Sequence, residues 1–579
     1  MAQREKALVI GDDTRSFLAT VRSLGRRGIE VHAAPYNMRA PALASRYIKQ
    51  IHRVPYYLDG GADWLRAMQK LLAEHQYTIV IPCEERSLLP LYKHQHELPS
   101  QCVLAIPSTK ALDAFFDKIN TRQLATAVGV PIAKGRELAA NDTADTVLAN
   151  LSLPIIFKQR QSYSWPELYV RTSVKVIQNR SQLESLLSSL DKGCEGFFFE
   201  EMFPGRGLGV SVLCHQGEVL QGFEHHRAHE LGGSSYYRKS APLDAARLAA
   251  VSRMAKAVDY TGLAMFEFKL NEANGEWILL EVNARPWGSL PLPVAVGVDF
   301  PYQLYQLLVT NQIQSPVRYR ANIYARNVVA DLWQMRAASQ AVVGSGVIKA
   351  VFVLKWLAGY ARFIIGKEHH DAFDWSDTRP AWAELKQVVQ ERLDAANPRG
   401  QLKQLASSVT AVNELVRHTQ KTGLPATVIF VCQGNICRSP FAQLLGQKLF
   451  NQQSQRIQFK SAGLLPRNSR RSPDAAITAA ETMGIDMSAH QSSCLTDEMV
   501  SGAQLLIIFD AINKQSLLDR FPDVQCAVCL IDAFVNADQT SFVEDPFGKE
   551  VIFFTDTYKY INSCLLKFHH QYTNNVSDV

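Results

Sequence analysis

Apolar positions fall first into a short run at residues 7–10, closed by Gly11-Asp12-Asp13, and then into the helical spacing of Phe17, Leu18, Val21 and Leu24. That succession predicts a buried strand, a turn and a helix over 14–25. Apolar runs at 29–33, 79–82 and 103–106 are too short for helices and extend the pattern into a βαβ series. Past Asp117 the pattern changes. Residues 209–214 and 219–223, joined by His215-Gln-Gly-Glu218, read as an antiparallel pair. From 311 to 425 the spacing is helical, and 397–422 reads as a polar linker, helical or flexible, ended by Gly423-Leu-Pro425. Strands at 427–431, 457–461 and 505–509 then alternate with helices at 440–450, 473–483 and from about 548, which predicts a parallel α/β domain. Cys526-x-x-Cys529 sits in an apolar stretch and reads as a core strand, since a zinc site would need two further ligands nearby.

A chain of 579 residues is too long for one core. The expected division is an α/β leading domain at 1–115, a second α/β domain at 116–310, a helical connector at 311–425 and the C-terminal domain at 426–579. The most apolar part of the connector, 347–366, has the length of a bilayer crossing, but Lys349, Lys355 and Arg362 interrupt it. A helix packed on its neighbours is expected there. The alternative is contact with a membrane surface through Trp356, Tyr360 and Phe363. Composition, at 47% hydrophobic and 20% charged, is that of a soluble globular protein. Lys+Arg 61 against Asp+Glu 55 leaves +6, too small and dispersed an excess for a nucleic-acid surface. The charged start Met1-Ala-Gln-Arg-Glu-Lys is not a signal peptide, and ten cysteines without a dense framework suit a reducing compartment, so the expected location is the cytoplasm.

The densest chemistry lies at Cys432-Gln-Gly-Asn-Ile-Cys-Arg-Ser-Pro440, between a strand and a helix. Successive backbone N–H groups in such a loop, with a helix N-terminus behind them, form a cradle for an oxyanion. Five residues separate Cys432 from Arg438, which lets the guanidinium face the sulfur across a bound phosphate and favours the thiolate. Cys432 is then a nucleophile toward phosphorus, and Asp545-Pro546, between Val543 and Phe547, is the candidate proton donor to the leaving group. The apolar neighbours are expected to help keep Asp545 protonated.

These residues, with Ser461-Ala-Gly463, Gly484-Ile-Asp-Met-Ser-Ala-His490 and Asp545-Pro-Phe-Gly548 in order, resemble a low-molecular-weight protein-tyrosine phosphatase over 427–579. The resemblance implies a phosphotyrosine phosphatase I-like α/β fold with a parallel sheet, no cofactor, Asn435 bracing the loop, Ser439 hydrogen-bonding the thiolate, and a protective Cys432–Cys437 disulfide under oxidation. Ile436 resembles the tyrosine branch of that family, in which an apolar loop residue lines a slot for an aromatic ring, phosphoarginine phosphatases having Thr there. Gln443 and His490-Gln-Ser-Ser493 depart from the family pattern, away from the reacting atoms. The expected partner is a phosphotyrosine protein, with a bacterial tyrosine kinase as the family's type of partner. Arsenate reductase, which shares the fold, is the rival, and Asp545-Pro546 weighs against it.

The N-terminal chemistry is more diffuse. Lys118 precedes a helix and Lys158 ends an apolar strand, two mobile charges suited to nucleotide phosphates. Glu200 and Glu201 end the run Gly196-Phe-Phe-Phe, a candidate edge for adenine and ribose. Glu267, Glu281 and Asn283 are hard oxygen donors amid apolar residues, the type magnesium prefers. Together these resemble an ATP-grasp enzyme of the carboxylate–amine ligase type over residues 1 to about 310. That implies a leading α/β domain plus two α+β lobes, ATP and Mg2+ as cofactors, Arg285 at the γ-phosphate or acyl phosphate, and Arg227 on a substrate carboxylate. The implied reaction activates a small-molecule carboxylate as an acyl phosphate for capture by an amine or thiol. The family's glycine-rich flap is absent from 159–172, where Ser162 and Ser164 stand instead, so a non-catalytic nucleotide sensor is the competing reading.

Overall fold

In this computed structural model the residues described are 5–163, 165, 168–169, 174–190, 196–231, 234–341, 351, 354, 356–396, 405–451, 456–536 and 542–577. They divide into one unit of residues 1–35, 40–54 and 65–387 and a second of 36–39, 55–64 and 388–579. The protein is α/β in both.

The first unit opens with the expected parallel sheet, ordered β3-β2-β1-β4-β5, from β1 (Lys6–Ile10), β2 (Glu30–Ala34), β3 (Ile48–Ile51), β4 (Ile79–Pro82) and β5 (Val103–Leu104). Phe17, Leu18, Val21 and Leu24 of the first helix, Ser16–Arg26, are fully buried in its core with Ala7 and Val9. A four-stranded antiparallel sheet follows, β6-β9-β7-β8, built from β6 (Gly135–Glu137), β7 (Ile155–Gln159), β8 (Lys175–Ile177) and β9 (Phe197–Glu201). A seven-stranded sheet carries β10 (Arg206–His215), β11 (Glu218–Leu231), β12 (Ser234–Ala241), β13 (Gly262–Leu270), β14 (Trp277–Asn283), β15 (Tyr324–Arg326) and β16 (Glu368–His370), in the order β14-β13-β10-β11-β12-β15-β16. The predicted hairpin is β10–β11, turning at Gln216 and Gly217.

The expected helical connector at 311–425 is corrected by β15 and β16. Each is only three residues long and carries charge, so neither shows the alternating apolar pattern of a strand. Buried ion pairs hold the segment in the first unit. Arg326 Nε donates to Glu368 Oε1 at 2.7 Å, Arg22 meets Asp377 at 3.0 Å, and Arg238 pairs with Asp371. At the other end, the helix Ser408–Thr422 buries Ala411, Val412 and Leu415 in the core of the second unit, where a linker was expected.

Of the apolar piece 347–366, residues 347–350, 352–353 and 355 lie outside the described residues. Trp356 Nε1 and Tyr360 Oη both donate to Asp331 Oδ2, at 2.8 and 3.0 Å, and Phe363 stacks on His370. The aromatic residues therefore face protein, while Leu354, Leu357, Ile364 and Ile365 are exposed. Among the described residues no helix is long and apolar enough to cross a membrane.

The second unit is built on a parallel sheet, β18-β17-β19-β20, of β17 (Ala426–Cys432), β18 (Ile457–Gly463), β19 (Leu505–Ile508) and β20 (Ala527–Leu530). β20 holds Cys529 in the core, as its apolar setting predicted. The long final helix, Val551–Ser577, buries Phe554, Tyr558, Ile561, Leu565 and Phe568 against one side of this sheet.

Candidate active sites

On the four-stranded sheet of the first unit, Lys158 of β7 forms an ion pair with Glu200 of β9, whose other oxygen accepts from Arg122 at 3.0 Å. Glu201, the next residue, points to the opposite face by strand alternation, and its Oε1 accepts from the Ser152 N–H at 2.8 Å. The adjacent acids are therefore separated. Asp117 caps the helix Lys118–Ala127, and Lys118 Nζ donates to Ser162 Oγ at 2.9 Å. Ser164 lies outside the described residues.

On the seven-stranded sheet the expected metal ligands come together. Glu267 of β13 stands directly opposite Glu281 of β14, and Asn283 Nδ2 reaches Glu267 Oε1 at 3.3 Å. Arg227 of β11 crosses β10 to pair with Glu267 and lies 3.6 Å from Glu230. A side chain at Gly207 would stand 2.7 Å from Arg227 Cδ, so glycine is what lets the arginine cross. Burial, reinforced by Glu281 and Glu230, holds Glu267 above the usual carboxylate range in spite of Arg227. Arg285 Nη2 donates to Glu85 Oε1 at 3.0 Å and to Asn283 Oδ1 at 3.2 Å. Two carboxylates side by side, Glu267 largely buried at 14% side-chain exposure, with the Asn283 amide adjoining and its oxygen held by Arg285, form a donor set that fits a hard divalent cation.

In the second unit, β17 delivers Cys432 to the loop and the helix Arg438–Leu449 leads away from it. Cys432 is 3% exposed, and its sulfur is the site's candidate nucleophile. It accepts from the Asn435 backbone N–H at 3.3 Å and lies 3.0 Å from Ser439 Oγ. Asn435 adopts a left-handed φ of 51°, which turns the loop, and its side chain locks that turn. Nδ2 donates to Ser439 Oγ and Ser461 Oγ, both at 2.9 Å, and Oδ1 accepts from the Ser493 N–H at 2.8 Å. Ser461 in turn donates to Gln443 Oε1 at 2.6 Å, so Gln443 acts two bonds away from the loop. His490 Nε2 contacts the Asn435 carbonyl at 2.7 Å.

Arg438 is 1% exposed. Its Nη1 donates to Asp510 Oδ2 at 2.6 Å and to the Val543 carbonyl at 2.8 Å, and Nη2 meets Asp545 Oδ2 at 2.8 Å. Nε is buried with no hydrogen-bond partner among the described residues, a donor left for an incoming anion. Burial opposes the charge, but Cys432, Asp545 and Asp510 outweigh it, and the guanidinium is held above its ordinary pKa.

The model of the low molecular weight phosphotyrosine protein phosphatase family matches residues 427–578. The protein named Probable low molecular weight protein-tyrosine-phosphatase EpsP of Ralstonia nicotianae is 30% identical over 135 residues, 23% of this chain and 88% of its own. This chain belongs to that family. The protein-arginine-phosphatase of Geobacillus stearothermophilus is 31% identical over 125 residues, 22% of this chain and 81% of its own. A solved ADP complex of N5-carboxyaminoimidazole ribonucleotide synthetase is similar at a TM-score of 0.45 and 14% identity, over 58% of this chain and 86% of that one.

Within the phosphatase domain two expectations are corrected. Asp545 is not in an apolar pocket: its side chain is 44% exposed against Arg438, and Phe547 is 62% exposed. The proline after Asp545 and the glycine after Phe547 make a surface turn, which turns the phenyl ring outward instead of over the carboxyl. Ile436, expected at the wall of an aromatic slot, is 8% exposed and packs into the core. Two residues of the site were not singled out from sequence. Asp510 reads as a helix cap, which it also is, since Oδ1 accepts from the Asn513 N–H at 2.7 Å. Arg470, whose Nη2 donates to the Gly434 carbonyl at 2.6 Å, comes from a distant segment with no local signal.

Proposed function

We propose that the phosphatase domain hydrolyses phosphotyrosine through a cysteinyl-phosphate. The observation that carries the reading is the convergence on one loop of a buried sulfur that accepts from the Asn435 N–H and lies 3.0 Å from Ser439 Oγ, and a buried guanidinium whose Nε has no partner among the described residues. In this reading the loop N–H groups and Arg438 hold the phosphate oxygens while Cys432 Sγ attacks phosphorus in line with the bond to the phenolic oxygen. Ser439 and the Asn435 N–H stabilise the sulfur anion, and Asn435 keeps both in place. As the P–O bond breaks, Asp545 gives its proton to the leaving oxygen. It then takes a proton from the water that attacks the thiophosphate, releasing inorganic phosphate and restoring the Cys432 anion. An aromatic substrate is supported by three exposed apolar side chains on segments that touch the loop or its partners. Leu465 donates its N–H to the Gln433 carbonyl at 2.8 Å, Ile512 follows Asp510, and Phe547 donates its N–H to Asp545 Oδ1 at 3.3 Å. Cys432→Ser is expected to abolish hydrolysis of an aryl phosphate, and full activity in that variant would remove the nucleophile.

For the first unit we infer an ATP-grasp ligase activity on a small carboxylate and an amine or thiol. When bound, Mg2+ and ATP would supply charge neutralisation and the transferable phosphoryl group. Glu267, Glu281 and Asn283 would hold the cation, Lys118 and Lys158 the phosphates, Glu200 and Glu201 the nucleoside edge, Arg285 the reacting phosphoryl and Arg227 the substrate carboxylate. Support comes from the pairing of Arg227 with Glu267, which puts the proposed carboxylate anchor beside the proposed metal ligands. Purified protein given ATP, Mg2+ and a panel of amino and other carboxylic acids is expected to release ADP only with the right acid and nucleophile. ATP binding without any release across the panel would favour a nucleotide sensor instead.

A further inference from the structure

Outside both sites, three histidines from separate elements of the first parallel sheet converge. His32 lies in β2, His52 directly follows β3, and His75 ends the helix Ala62–His75. One ring nitrogen of each lies within 4.8 Å of the others. His32 Nδ1 is 3.0 Å from His52 Nε2 and 2.7 Å from Tyr77 Oη, which is itself 3.0 Å from His52 Nε2. His32 and Tyr77 are buried, while His52 and His75 are half-buried, so the cluster has a closed inner wall and a side open to solvent.

The remaining nitrogen of His32 carries further information. His32 Nε2 is 3.2 Å from Glu30 Oε1, so the carboxylate takes the Nε2 proton and leaves the Nδ1 lone pair directed into the cluster. A carboxylate behind an imidazole is the arrangement that fixes a metal-binding tautomer and raises its basicity. Four ligands about 2.0–2.1 Å from a tetrahedral zinc ion lie roughly 3.3 Å apart, close to the separations among His32, His52 and Tyr77. His75, at the end of its helix, brings a third ring nitrogen within 4.8 Å of the other two.

We propose that His32, His52 and His75 bind a zinc-class divalent transition-metal ion, with Tyr77 at the fourth position and Glu30 orienting His32. Imidazole nitrogens favour such ions over magnesium, which distinguishes this site from the oxygen set at Glu267. The ion would tie the end of the helix Ala62–His75 to β2 and the end of β3, two strands already paired in the sheet.

The test uses full-length protein stripped with a chelator and titrated with Co2+ and Zn2+. Wild type is expected to take up one equivalent of Co2+ with the visible d–d bands of a four- or five-coordinate nitrogen site, to lose them on adding Zn2+, and to keep them in excess Mg2+. The His52→Gln/His75→Gln double variant should lose the bands. Glu30→Gln should retain them with affinity weakened about 10–100-fold. Unchanged turnover of an aryl phosphate and unchanged circular dichroism in the stripped variants would show that folding is intact. Wild type without d–d bands, or a double variant with the same bands and affinity as wild type, would overturn the proposal and leave a hydrogen-bonded histidine–tyrosine cluster.

Discussion

Asp510→Asn separates two jobs that one carboxylate performs. Asp510 Oδ2 accepts from Arg438 Nη1 at 2.6 Å, and Oδ1 caps the helix Ala511–Arg520. Asparagine caps a helix about as well as aspartate, so the variant keeps the cap and removes the charge. A hydrogen bond to a charged group contributes about 1.5–3 kcal/mol. Arg438 keeps the Val543 carbonyl, so part of that energy is retained, and a loss of about 1.4–2.8 kcal/mol in transition-state stabilisation is expected. The corresponding fall in kcat for an aryl phosphate is roughly 10–100-fold, with KM changed much less because the guanidinium stays charged. Steady-state kinetics with urea denaturation in parallel reads both quantities. Asp510→Ala should lose the same activity and a further ~1 kcal/mol of stability through the missing cap. An Asp510→Asn enzyme within twofold of wild-type kcat would refute the view that this carboxylate aims Arg438 for catalysis.

Asp545→Asn should slow aryl phosphates increasingly as the leaving group becomes more basic, up to the roughly 10²–10⁴-fold typical of a general acid; a loss that ignored leaving-group basicity would assign Asp545 another role. In the first unit, burial pushes the Glu368 carboxyl up, but hydrogen bonds from His370, Arg326 and Tyr237 outweigh it and hold its pKa at about 2 against an ordinary 4.5. Its contribution to stability is therefore complete above about pH 4.5 and is lost as pH falls toward 2. Denaturant titrations of Glu368→Gln across that range should show a shallower pH dependence than wild type, and superimposable slopes would count against the pairing.

What was legible in the chain followed from how local each signal is. The loop from Cys432 to Arg438 is contiguous, so its spacing alone carried the geometry. Strands β10 and β11 were legible for the same reason, their alternation and turn being adjacent. Glu267 and Glu281 lie on paired strands near in sequence, and their facing register was within reach of a strand reading. By contrast β15 and β16 add to a sheet whose other strands end at residue 283, and the charges that hold them, Arg326 and Glu368, look from sequence like solvent-facing helix positions. The environment of Asp545 misled because Val543 and Phe547 are near in the chain while the decisive neighbour, Arg438, is not. His32, His52 and His75 have no motif spacing at all; only the fold of the first sheet collects them.

The arrangement around Arg438 also bears on how the phosphatase site begins a turnover. Two carboxylates hold the same guanidinium, but they hold it unequally. Asp510 is 14% exposed and is fixed by its role as a helix cap, whereas Asp545 is 44% exposed on a surface turn. An exposed ion pair contributes about 0–1 kcal/mol, far less than a phosphate dianion gains from a buried guanidinium and a ring of backbone donors. In the proposed mechanism the entering phosphate is therefore expected to displace Asp545 and leave Asp510 in place. That exchange would release the Asp545 side chain from Arg438 and leave it free to turn toward the leaving oxygen. In the proposed mechanism the substrate's own charge thus moves the Asp545 side chain from the guanidinium to the leaving group, a role that does not depend on the apolar pocket anticipated for it.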